Sequence, residues 1–205
     1  MIIRSIRIAL LFSLSLLLLS CATTQPKSTE NACSIFREKD DWFEASKEVE
    51  EKYGLPMQVQ LAIMRQESSF RHDAKPPRET ILGIPMWWRK SSAYGYAQVK
   101  DETWDWYISK TGNRWADRDD YEDAVDFMGW YCTISNKRLG ISKWDTFNLY
   151  LAYHEGHGGW ERQTYLKKPW LIEVAHKVDR YAREYGAQLQ QCRSSMGSKS
   201  WWRRF

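Results

Sequence analysis

The stretch Ile63-Met-Arg-Gln-Glu-Ser-Ser-Phe70 decides how the rest of the chain is interpreted. It closes a helical pattern that opens at Pro56, where a missing backbone donor costs nothing, and in which apolar residues recur at helical spacing. The carboxylate Glu67 therefore falls at the end of an apolar helix, followed by two hydroxyls and an aromatic ring. If Glu67 is half-buried, lost solvation raises its pKa from about 4.3 toward 6 and keeps it able to donate a proton.

The regions on either side of this stretch also show helical periodicity. No part of the chain has convincing strand alternation, although residues 81–88 have room for a short hairpin. Residues 71–92, broken by proline and glycine, form a long loop directly after Glu67, and long loops in compact domains are often functional. The fold class predicted is all-α, with further helices over residues 40–53, 101–110, 118–139, 143–155 and 170–191.

The amino terminus has the pattern of a lipoprotein signal. Arg4 and Arg7 precede an apolar run over residues 8–19, which is too short to span a bilayer. The run ends in Leu-Leu-Ser-Cys21, which predicts cleavage before Cys21, lipid attachment to that cysteine and, with Ala22 following it, anchoring to the periplasmic face of the outer membrane. The division predicted is a signal peptide (1–20), a flexible lipidated tether (21–40), one domain (41–192) and an aromatic, basic tail (193–205).

Charge and composition narrow the class of partner. Without Arg4 and Arg7 the formal net charge falls from +4 to +2, which is too weak to indicate nucleic-acid binding. The chain has twelve tryptophans and eleven tyrosines. Flat rings fill cores, and they also stack on the apolar faces of sugars, so a minority of them are candidates for a saccharide cleft.

Three cysteines remain besides the lipidation site. Behind an export signal, one disulfide and one free thiol are expected, and Cys33 with Cys192, near the two ends of the folded region, are the predicted pair. Cys132 lies in a helical pattern and is interpreted as a small buried hydrophobic residue. The chain has no Cys-x-x-Cys spacing, which argues against a metal site built from these cysteines.

Three motifs in order along the chain carry a family resemblance. They are Glu67-Ser-Ser-Phe70, Gly95-Tyr-Ala-Gln98 and Ala152-Tyr-His-Glu-Gly156. They resemble the Glu-Ser-x-Phe, Gly-Leu-Met-Gln and Ala-Tyr-Asn-Ala-Gly motifs of the soluble-type lytic transglycosylases, and the resemblance extends over residues 41–185. The chain departs from that pattern at Ala97, at His154 and in the length of the loop after the first motif, which is typical of a divergent branch.

The resemblance implies a lysozyme-like α-domain that acts on peptidoglycan glycan strands. It implies cleavage of the β-1,4 bond between N-acetylmuramic acid and N-acetylglucosamine, with formation of 1,6-anhydromuramic acid. Glu67 would act first as general acid and then as base, and Tyr153 would position it or polarise the developing charge. The family needs no metal or organic cofactor. The residues that would contact the substrate are Ser69, Gly95, Tyr96, Gln98 and His154.

Other functions remain as alternatives. His154 and His157 are spaced i, i+3 rather than the i, i+4 of zinc proteases, and no Gly-x-Ser-x-Gly motif of a serine hydrolase is present. A hydrolase resembling goose-type lysozyme would need a second carboxylate, for which Asp73, Asp101 and Glu155 are candidates. A non-catalytic wall-binding lipoprotein is the alternative from a different class.

Overall fold

The computed structural model describes residues 24–81, 83–89 and 91–196, and this part of the chain is almost entirely helical. The predicted all-α fold class is confirmed, as is a short hairpin in the loop after α3. The elements are α1 (Ala32–Glu38), α2 (Asp40–Tyr53), α3 (Met57–Ser68), β1 (Arg78–Ile81), β2 (Ile84–Arg89), α4 (Asp101–Thr111), α5 (Tyr121–Leu139), α6 (Thr146–Glu155), α7 (His157–Glu161), a 3₁₀ turn (Thr164–Lys167), α8 (Pro169–Cys192) and a second 3₁₀ turn (Arg193–Ser195).

Capping side chains set where two of the predicted helices begin. The patterns indicated starts at residues 118 and 143, but α5 and α6 each begin three residues later. Asp120 accepts a hydrogen bond from the backbone N–H of Asp123, and Asp145 accepts one from that of Asn148. Each aspartate satisfies an otherwise unpaired N–H of the first turn, which makes it the favoured start of the helix.

The predicted boundary between tether and domain at residue 40 is wrong, because α1 belongs to the core. Asn31 caps this helix, and Ile35 and Phe36 are at most 2% exposed. A disulfide joins Cys33 of α1 to Cys192 at the end of α8. The ordered domain therefore begins upstream of α1, which buries its apolar face instead of acting as a flexible spacer.

The helix α3 lies at the centre of the domain. Four consecutive residues from Leu61 to Met64 have no exposed surface, so this turn of the helix is enclosed on all sides. It packs mainly on α8 and also contacts α2 and α5. Because its neighbours hold it on every side, the position of its last turn, where Glu67 lies, is set by the core.

The hairpin and a bridged turn form the loop that follows α3. Strands β1 and β2 pair antiparallel around Gly83, whose φ of +82° suits the tight turn. A further single bridge joins Tyr94 to Val99. This bridge returns the chain to the domain just before α4, and it brings the second motif beside α3.

Residues 1–23 and 197–205 lie outside the described part of the chain, so the predicted signal peptide, the lipidation of Cys21 and most of the predicted tail are not among the structural observations. Of that tail, Arg193 is described and pairs with Glu50 of α2. None of the helices within 24–81, 83–89 and 91–196 is long and apolar enough to cross a membrane.

Candidate active site

Glu67 lies in the last turn of α3, where the backbone reverses sharply. Ser69 and Phe70 follow it with φ values of +53° and +62°, a region that costs a non-glycine residue about 1–2 kcal/mol. Phe70 is fully buried and stacks on Trp42 at a ring separation of 6.1 Å, and this burial offsets the backbone strain. The motif thus anchors the end of α3 through its phenylalanine and holds Glu67 at a defined position.

The Glu67 carboxyl is unusual in its surroundings. Its Oε1 atom has no accessible surface and no hydrogen-bond partner, although the residue as a whole keeps part of its surface at the cleft. Burial raises the pKa of Glu67 from 4.5 to about 7, and a hydrogen bond from Tyr150 opposes the shift. Near neutral pH this carboxyl is therefore divided between its protonated and ionised forms.

Two tyrosines of α6 face this region from one side of that helix. Burial, together with the charge of Glu67, raises the pKa of Tyr150 and of Tyr153, so both phenols stay protonated at neutral pH. The Tyr153 hydroxyl donates to the carbonyl oxygen of Ala97 at 2.7 Å, whereas the phenol that lowers the pKa of Glu67 is that of Tyr150. Tyr153 was predicted from the third motif and Tyr150 was not, although their spacing of three places both on one helix face.

A cleft of about 330 Å³ opens at Glu67. Of the residues predicted for the site, Glu67, Gln98, Tyr153 and His154 line it. Glu155 and Gly156 of the third motif line it as well, and Glu155 is one of the candidate second carboxylates. The remaining lining residues were not predicted, because they lie outside the three motifs and only the fold brings them together. These are Ser91, Ala93, Val99, Lys100, Thr103, Phe127 and Tyr131.

The second motif supports one wall of the cleft through its backbone. Gly95 has φ +76°, and a Cβ atom there would lie 1.9 Å from the carbonyl oxygen of Arg118, so only glycine fits. The Gln98 amide donates to the carbonyl oxygens of Ala74 and Gly95, at 2.8 and 2.9 Å. Gln98 thereby closes the turn that forms the wall, and both of its N–H donors are used within the protein.

Three predicted sugar contacts, Ser69, Gly95 and Tyr96, are not among the residues that line the cleft. Tyr96 has no exposed surface, and its ring packs edge-on against Trp42 and Tyr121, at 5.4 and 5.7 Å. Ser69 is exposed outside the cleft lining, and its hydroxyl donates to the carbonyl oxygen of Arg65. The prediction that Tyr96 touches the substrate is wrong because its aromatic ring is part of the core; Ser69 serves as the helix cap.

Glu155 is a second carboxylate in the cleft wall, but its ionisation state differs from that of Glu67. Burial raises its pKa, yet hydrogen bonds from Lys168 (2.7 Å), Thr164 and His154 (3.1 Å) outweigh burial and lower the pKa to about 2. Glu155 is therefore a fixed anion that ties the end of α6 to the start of α8. Of the other candidate carboxylates, neither Asp101 nor Asp73 lines the cleft.

The two histidines of the third motif are separated. His157 is buried, stacks on Tyr131 at 4.4 Å and shares a hydrogen bond with the Ser135 hydroxyl at 3.0 Å. His154 instead faces Glu155 at the cleft. Within the described residues, no group of three or more histidine, cysteine, aspartate or glutamate side chains is placed to hold a metal ion.

Comparison with known proteins adds one match. A family model described as "Transglycosylase SLT domain" matches residues 9–192, which is most of the chain. Among curated proteins, none is similar enough to this chain to count as a match. The match includes all three motifs and the cleft between them, and it confirms the resemblance drawn from those motifs.

Proposed function

The chain belongs to the transglycosylase SLT domain family, and from that premise we propose that it cleaves the β-1,4 bond between N-acetylmuramic acid and N-acetylglucosamine to leave a 1,6-anhydromuramic end. Family membership supports lytic transglycosylase activity on peptidoglycan glycan strands in general. The observation that carries the more specific proposal is a buried carboxyl, Glu67, with a pKa of about 7 at the wall of a cleft.

The proposed reaction uses Glu67 twice. In its protonated form it donates the proton to the glycosidic oxygen as the bond to the anomeric carbon breaks. As a carboxylate it then accepts the proton of the C6 hydroxyl of the muramoyl residue, whose oxygen bonds to the same anomeric carbon and closes the anhydro ring. A pKa near 7 suits both steps, because a general acid and base works best when its pKa lies near the working pH.

The two tyrosines suit supporting roles in this reaction. Tyr150 is 3% exposed, so we propose that it positions the Glu67 carboxyl and does not touch the sugar. Tyr153 lines the cleft, and its hydroxyl is held by the Ala97 carbonyl. With both phenols neutral, neither repels the carboxylate that forms after the first proton transfer.

Hydrolysis by a second carboxylate is the alternative, and Glu155 is the residue that favours it. A retaining or inverting glycosidase needs such a group about 5–5.5 Å or about 6.5–9.5 Å from the acid. Glu155 lines the cleft as an anion. Its oxygens, however, accept hydrogen bonds from Lys168, Thr164 and His154, which leaves it poorly suited to take a proton from water.

The products of digestion test the proposal. Purified sacculi are incubated with the protein lacking residues 1–20, and the released muropeptides are weighed by mass spectrometry. Anhydro products, lighter by one water than reducing muropeptides, are expected, and Glu67→Gln should abolish them while the exposed-residue control Glu184→Gln retains them. Reducing ends that vanish in Glu155→Gln would establish the hydrolase. Binding without any release would establish the non-catalytic anchor.

We also propose that the protein is lipid-anchored at the periplasmic face of the outer membrane through Cys21. The support is the sequence pattern of residues 1–21. Labelling cells with a radioactive fatty acid should mark the wild type and not Cys21→Ser, and membrane fractionation should find the wild type with the outer membrane. An unlabelled wild type would contradict the anchor and leave the enzymatic proposal untouched.

A further inference from the structure

An exposed aromatic side chain adjoins one end of the cleft. Trp170 keeps 53% of its surface exposed, and its ring meets that of His154 edge-on at 5.4 Å. His154 lines the cleft beside Glu155, so Trp170 contacts a residue of the cleft wall. Leu166, which is 58% exposed, belongs to the 3₁₀ turn just before α8. Exposed apolar groups that adjoin a polar cleft are typical of a ligand-binding surface.

Trp170 lies off the core-facing side of its helix. The helix α8 turns Leu171, Ala175 and Val178 toward the core, and each of them is fully buried. Trp170, one position before Leu171, therefore projects about a quarter of a turn away from that face. About half of the residue's surface is exposed, and that surface is available to a ligand.

Polar groups beside the ring complete the features of a sugar-binding site. The side chain of Lys168 is 39% exposed and donates to Glu155 at 2.7 Å. An ammonium group has three donors, so at least one remains for a ligand. A pyranose ring presents C–H groups on its flat faces, which suit the negative face of an indole, and hydroxyl or N-acetyl groups around its edge, which suit a lysine.

We propose that Trp170, with His154 and Lys168, binds one sugar ring of the glycan strand beyond the position where Glu67 acts. This inference rests on the proposed function, since it takes the same polymer as ligand. The site would hold the strand by a ring outside the cleft, so its contribution should appear for long oligosaccharides and be absent for those too short to reach it.

Binding in a catalytically silent protein tests this inference. Peptide-free glycan oligomers of two and of six sugars are titrated by calorimetry against Glu67→Gln and against the same protein carrying Trp170→Ala, Trp170→Tyr or Trp144→Ala. Trp144 is the matched control, because it is 69% exposed and lines a separate groove between α3 and α8. Melting temperatures verify that each variant is folded.

We expect Trp170→Ala to weaken binding of the six-sugar oligomer by roughly three- to tenfold, the effect of one lost stacking contact, and to leave the two-sugar oligomer unchanged. Trp170→Tyr should retain most of the affinity, and Trp144→Ala all of it. Equal affinities for Trp170→Ala and Trp144→Ala, an equal loss for both oligomers, or no binding of the long oligomer to the parent would overturn the inference. Failure of the proposed function would be distinguishable from these outcomes, because the wild type would then release no anhydro products.

Discussion

Replacing Glu67 by glutamine should make the protein relatively more stable as the pH rises. The wild-type carboxyl has a pKa of about 7 when folded and an ordinary value of 4.5 when unfolded. A raised folded pKa contributes stability that is fully present below about pH 4.5 and lost as the pH rises through 7. At about 1.4 kcal/mol per pKa unit, this loss amounts to at most about 3 kcal/mol, since water in the cleft screens part of the charge. The glutamine amide does not ionise in this pH range, so the variant does not lose this stability.

Urea unfolding near pH 4 and near pH 8 measures this effect. The quantity of interest is the free energy of unfolding of Glu67→Gln minus that of the wild type, at each pH. Any constant cost of burying the amide cancels when the two pH values are compared, and the difference should grow by about 2–3 kcal/mol toward pH 8. Glu184→Gln, at an exposed position, is the control for losing one surface carboxylate. A difference that stays constant with pH would refute the reasoning that Glu67 is buried with a raised pKa.

Three further predictions follow from the same structure. The kcat/KM of the wild type on glycan strands should fall about tenfold per pH unit above pH 7, because Glu67 must begin protonated; a profile flat to pH 9 would contradict this. Gly95→Ala should lower the free energy of unfolding by more than about 2 kcal/mol, because its Cβ would overlap a backbone carbonyl. Gly112→Ala is the control: it has the same φ but open space around it, and it should cost only about 1 kcal/mol. Equal costs for the two variants in chemical denaturation would exclude the clash. Cys33→Ser removes a disulfide that spans 159 residues and should lower the free energy of unfolding by about 2–5 kcal/mol. Urea unfolding measures this loss, and the reduced wild type should show the same free energy of unfolding as the variant.

Local patterns were sufficient for most of the fold. The acidic residues from Asp40 and the stop at Gly54 predicted the bounds of α2, and Pro56 located the start of α3, because these signals act within one or two helical turns. Starts governed by a capping aspartate, as at Asp120 and Asp145, were misplaced by three residues. The helix α1 was missed altogether, because a short helix is stabilised by packing and by its disulfide more than by its own residues.

In the candidate site, too, some features were predictable from the sequence and others were not. The sequence by itself determined that a carboxylate, Glu67, ends an apolar helix, and that three motifs in order resemble those of a transglycosylase. Only the tertiary structure decided that Tyr150 acts on the pKa of Glu67, that Tyr96 is buried, and that Glu155 is a paired anion. Each of these depends on groups from distant segments, such as Lys168 on Glu155. Burial and charge pairing are set by what the fold brings within a few ångströms, and the local sequence does not contain that information.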